Sequence, residues 1–134
     1  MRSRLPIFLC VLSLVAPISV RAQWVYNGTM ITAVDNSAQF AVSDGAGGMI
    51  ITWQDQRIAG TFHVYAQRID VSGVPKWSSD GVAICTATGN QFVTGIVSDG
   101  AGGAIIAWYD WRSGFASDIY VQRVGGKQPI AVAA

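Results

Sequence analysis

Two clusters in this sequence hold the residue types that could do chemistry. One is Trp53, Asp55 and Arg57. The other is Trp108, Tyr109, Asp110, Trp111 and Arg112. Aromatic faces beside a carboxylate and a guanidinium suit a sugar: rings stack on rings while the charged groups take hydroxyls. The same Asp and Arg also suit each other, as ion pairs that fix a loop. Asp55 with Arg57 and Asp110 with Arg112 recur at equivalent positions of a repeat, which favours this framework role. Trp53 and Trp108 recur too and are expected in a core. Tyr109 and Trp111 stand where the other copy has Gln54 and Gln56. The repeat does not need aromatics there, so these two are the strongest ligand candidates.

Other reactive residue types lead to no reaction. Asp44 with Gly45, Gly47 and Gly48, and Asp99 with Gly100, Gly102 and Gly103, read as structural turns. The glycines supply positive φ and the Asp accepts from backbone N–H groups two residues on. One carboxylate per turn falls far short of the ~6–8 oxygens that calcium takes. No Lys-Ser/Thr follows the glycines, so they form no phosphate loop. His63 is the single histidine and replaces Asp118 of the other copy, which suggests an exposed strand end. It lacks the partners a metal or a Ser-His-Asp triad requires. The expectation is therefore no catalytic residue, no metal and no cofactor.

The elements that must position these residues come from the repeat. Val42–Arg68 and Val97–Arg123 align without a gap at an offset of 55, with 15 identities in 27 positions. Such periodicity points to one supersecondary unit per copy. Phe40–Ser43 reads as a short apolar strand. Met49–Trp53 and Ala104–Trp108 are nearly all apolar, the mark of a strand buried on both faces. Phe62–Ile69 and Asp118–Val124 form the third strand, with Val64 and Ala66 facing one way and Tyr65 and Gln67 the other. Lys76–Trp77, then Val82–Ile84 after an Asp80-Gly81 kink, make an outer fourth strand. Trp24–Thr32 resembles Trp77–Cys85 at an offset of 53 and is read as a further outer strand. The last copy, ending at Val124, is expected to lack its own outer strand, since no Trp stands where Trp77 would predict one.

Four antiparallel strands repeated in tandem, with inner strands buried on both faces, describe β-propeller blades. The fold class expected is all-β: two four-stranded antiparallel propeller-type blades within residues 23–124, an incomplete propeller, followed by an irregular tail at 125–134. The motif Trp108-x-Asp110-x-Arg112, then Asp118-Ile119-Tyr120-x-Gln122-Arg123, with Gly73 and Trp77 in the first copy, resembles tandem repeats of large secreted bacterial proteins of propeller form. Ser43-Asp44-Gly45 and Ser98-Asp99-Gly100 also resemble the Asp-box of sialidase-like propellers, although the spacing departs from S-x-D-x-G-x-x-W. The arginine triad and Tyr/Glu pair of sialidases have no counterparts here. The resemblance implies a scaffold. Two blades are fewer than the ~4–8 of a typical ring. Either the chain opens a longer repeat array, the reading favoured here, or identical subunits close the ring by lending Trp24–Thr32 to a neighbour.

Composition agrees with strands. Hydrophobic residues make up 51% and charged residues 13%, which argues against disorder. Every acidic residue is Asp, and Lys occurs only at 76 and 127, so strong helix formers are scarce. Residues 1–22 have the form of a secretory signal peptide: Arg2 and Arg4, an apolar stretch from Leu5 to Val20, and small residues at Val20 and Ala22 before the cut. Cys10 follows Leu9, where lipid attachment needs a small residue. After cleavage no stable membrane insertion is expected, and the address is extracellular. Six basic against eight acidic groups then remain, which makes no case for nucleic acid. Cys85 is left as the one thiol, in an apolar run that reads as buried. The expected function is a binding or adhesion scaffold contacting a carbohydrate or a cell-surface protein, with further repeats or self-association closing the ring. Two alternatives stand beside it: a small lectin of two-blade subunits, and a non-catalytic piece of a sialidase-like enzyme.

Overall fold

A computed structural model describes residues 24–127; residues 1–23, which include the expected signal peptide at 1–22, and those from 128 onward lie outside the described residues. Seven strands run in chain order: β1 (Asn36–Ser43), β2 (Met49–Ile58), β3 (Thr61–Ile69), β4 (Val82–Cys85), β5 (Gln91–Ser98), β6 (Ala104–Asp110) and β7 (Asp118–Val124). The described residues contain no helix, and the chain is all-β. Strands β1-β2-β3-β4 form one antiparallel sheet and β5-β6-β7 a second, each an up-and-down meander. Two four-stranded blades were expected, with the last copy lacking its own outer strand; the sheets have four and three strands. Trp24–Thr32, read as a further outer strand, forms a turn and coil instead.

The DGAGG turns do what their composition predicts. Gly45 and Gly47, like Gly100 and Gly102, take positive φ. A Cβ at Gly48 would run into the Ile69 carbonyl, and one at Gly103 into the Val124 carbonyl, so only glycine fits beneath the next strand. The other hairpins differ between the copies. Ala59 and Gly60 both have positive φ, a two-residue turn that matches strand twist and carries the β2–β3 ladder out to Ile58↔Thr61. In the second copy the ladder ends at Asp110↔Asp118, and Gly114 closes a separate turn by donating to the Trp111 carbonyl at 2.9 Å. A loop of the same length is thereby splayed open.

The two sheets stack face to face. Register places Ile50, Thr52, Gln54, Val64 and Ala66 on one face of the first sheet. It places Ala104, Ile106, Trp108, Tyr120 and Val124 on one face of the second. Ile50, Val64, Ala66, Val93, Ala104, Ile106, Trp108 and Val124 share a single buried core. The Gln54 side-chain oxygen accepts from the Val93 amide at 2.8 Å and ties the sheets together. Burial of both faces holds for β2 and β3 of the first sheet, where Trp53, Tyr65, Gln67 and Ile69 on the far side are also buried, but not for β1, which is largely exposed. It fails for the second, whose outer face leaves Val97, Ile105, Tyr109, Ile119 and Val121 exposed. Burial of a strand's second face needs a covering layer, and the described residues supply one only on the first sheet.

Candidate functional site

Each copy builds a cassette from one end of its second strand. The Trp53 indole donates to Asp55 Oδ2 at 2.9 Å, and Trp108 donates to Asp110 Oδ2 at 2.9 Å. Arg57 Nη2 meets Asp55 at 2.6 Å; Arg112 Nη2 meets Asp110 at 2.5 Å. The guanidinium then lies over a tyrosine, Arg57 on Tyr65 at 3.8 Å and Arg112 on Tyr120 at 3.9 Å. Both carboxylates are fully buried. Burial alone would raise the Asp110 carboxyl, but donors from Arg112, Trp108 and the Arg112 backbone outweigh it and hold the group at about 2. Asp55 is lowered by the same balance, with Trp53 and Arg57 as donors. These charges are used up internally, and a ligand would have to break an ion pair to reach them.

The Asp turns form a second matched pair. Asp44 Oδ1 accepts from the Ala46 and Gly48 amides at 2.8 Å, and Asp99 Oδ1 from Ala101 and Gly103 at 2.8 Å. The other oxygen pairs with an arginine: Asp44 with Arg68 at 2.8 Å, Asp99 with Arg123 at 2.8 Å. Neither arginine was read as a partner of these turns from the sequence. The available signal was that Asp44/Asp99 and Arg68/Arg123 recur at the same separation. Among the described residues, no group of three or more His, Cys, Asp or Glu side chains is placed to hold a metal ion.

His63 is not an exposed strand end. It is buried, and its Nδ1 is 2.6 Å from the Gln91 side-chain oxygen. The contact arises because β3 runs under the start of β5, where Asn90 also accepts from the Phe62 amide at 3.0 Å. Cys85 is half-buried, less enclosed than its apolar run suggested, with its sulfur 3.7 Å from Asp110 and 3.6 Å from Arg112. Burial raises its thiol, so it is poorly ionised at neutral pH.

The aromatic candidates separate. Trp53 and Trp108 are core. Tyr109 is exposed on the open face of the second sheet, at the place where Gln54 in the first copy bridges to the neighbouring sheet. Trp111 is 41% exposed in the splayed loop, its backbone held by a 2.9 Å bond from its amide to the Asn90 carbonyl. Phe115, not singled out before, is 97% exposed in the same loop, where the first copy has Gly60. Its signal was available as an aromatic facing a glycine in the alignment. A cleft of about 220 Å³ lies beside β7, lined by Ile84–Ala87, Trp108, Arg112, Tyr120 and Gln122. No family model, no curated protein and no solved structure matches this chain.

Proposed function

We propose that the chain is an exported binding scaffold of propeller-type blades, and that it contacts carbohydrate or a cell-surface protein through the β6–β7 loop. One observation carries the reading. Every charged group of the recurring cassettes is paired within the fold, whereas Trp111 and Phe115, aromatics of the second copy with no aromatic counterpart in the first, face solvent. Exposed aromatic rings on an anchored backbone offer a flat apolar surface with a polar rim, which suits a sugar ring. The stacked sheets support a propeller-type arrangement, and the leader supports export. The proposal assigns no reaction.

A glycan array probed with the intact chain, Trp111→Ala and Phe115→Ala tests it. The expected result is retention by the wild type and at least a tenfold loss in each variant, with unfolding midpoints unchanged. An array with no wild-type signal removes the carbohydrate reading and leaves the protein ligand. Equal retention by all three chains moves the site away from this loop.

A further inference from the structure

We infer that the open face of the second sheet and the free edge of β7 bind a second copy of this chain, with its Trp24–Thr32 segment becoming the missing fourth strand. The argument begins with the segment itself. It has the backbone of the linker that precedes β4. Asn27 and Gly28 have φ of 71° and 89°; their counterparts Asp80 and Gly81 have 58° and 81°. Gly28 donates to the Val25 carbonyl at 3.0 Å, and Gly81 donates to Ser78 at 3.0 Å. Local conformation is thus that of an outer-strand lead-in, while the ladder is absent. The reason is position. Ile31 and Thr32 line a groove with Trp53, just as Ile84 and Cys85 line the cleft with Trp108. The segment sits against the first sheet as β4 sits against the second. It therefore occupies the place of an outer strand with no sheet of its own among the described residues, and Trp24 and Tyr26 remain exposed.

The second sheet shows the complementary gap. Among the described residues β7 pairs with β6 alone. In the first sheet, the Gln67 amide holds the lead-in: it accepts from the Trp77 amide and donates to Ser78, both at 2.8 Å. Its counterpart Gln122 instead donates locally to the Arg123 carbonyl at 3.0 Å. Arg57 reaches the Asp80 carbonyl at 2.9 Å, whereas Arg112 turns to Cys85. Trp24, Val25 and Asn27 of a second copy would bring the backbone groups that Gln122 and Arg112 lack. The face beside them is the counterpart of the one that already buries Ile50, Val64 and Ala66 between the sheets. The interface within the chain thus specifies the interface between chains. Such head-to-tail contacts close into rings or run on as filaments.

Sedimentation of the mature chain over a concentration series tests this, with four variants. The expected result is a mass that is a whole multiple of one chain. Ile119→Asp on the open face, Gln122→Ala at the edge and Gly28→Ala in the segment should each weaken association at least tenfold. A Cβ at Gly28 meets nothing within its own chain, yet at the matching Gly81 it would strike Trp53. Gly60→Ala, also at positive φ in open space, controls for backbone strain and should leave association unchanged. A single-chain mass at the highest soluble concentration overturns the inference. So does an oligomer that these three variants leave intact. Glycan retention by the loop aromatics is read separately, so either proposal can fail alone.

Discussion

Ile50 and Ile105 are the same residue at the same step of the repeat, yet one is 0% exposed and the other 37%. The strands that carry them share turn, register and cassette. What differs is the layer above. Ile50 looks into the second sheet, and Ile105 looks out. The contrast repeats along the edge, where Gln67 is buried over the β4 lead-in and Gln122 is exposed. Two nearly identical sheets thus hold different amounts of structure, because stability in a stacked array resides in contacts between units as much as within them.

The comparison can be broken most directly at its centre. Ile50→Ala should cost about 2–5 kcal/mol by urea unfolding at low protein concentration, since it empties a closed core. Ile105→Ala should cost about 1 kcal/mol or less under the same conditions. Equal losses would mean that the two faces are equally covered in solution.

Acid unfolding asks whether the cassettes are as alike as they look. The folded Asp110 carboxyl titrates at about 2, below its ordinary 3.8. A group lowered by folding contributes stability that is complete above the unfolded value and lost as pH falls through the folded one. That contribution is roughly 2 kcal/mol at neutral pH and disappears between about pH 4 and 2. Asp110→Asn should flatten this limb of the stability curve, and Asp55→Asn should flatten it in the same direction. A flattening in one variant only would show that the first and second cassettes are not equivalent.

The smallest contrast is at the edge. Gln67→Ala leaves the Trp77 amide without its acceptor and should cost roughly 1–2 kcal/mol. Gln122→Ala should change the single chain's stability by less than about 0.5 kcal/mol. A large cost for Gln122→Ala in a single chain would show that its amide already has a structural task.

Much of the fold was legible because it is local. Asp44 and Asp99 were assigned to turns from Asp-Gly-x-Gly-Gly alone, and they accept from the amides two residues on. The opposite faces of Val64/Ala66 and Tyr65/Gln67 followed from strand alternation and appear in the register. Asp55–Arg57 and Asp110–Arg112 were read as framework pairs, and both are ion-paired. The partners from afar were not legible. Arg68 reaches Asp44 across 24 residues, and His63 finds Gln91 across 28. Nothing in a strand's own pattern names what the neighbouring strand will place against it. Trp24–Thr32 failed as a strand for the same reason: its propensity and turn were right, but a strand needs a second strand to bond.

The amino-acid order alone settled the repeat, the all-β class, the turns and the pairing of Asp with Arg, because these depend on neighbours a few residues away or on exact recurrence; that the Trp indole joins each pair came from the fold. Only the three-dimensional arrangement decided which of two equivalent faces would be covered and that Phe115 and Trp111 would face water. Burial is a property of what lies opposite, and identical stretches acquire different surroundings when only one of them has another sheet stacked against it.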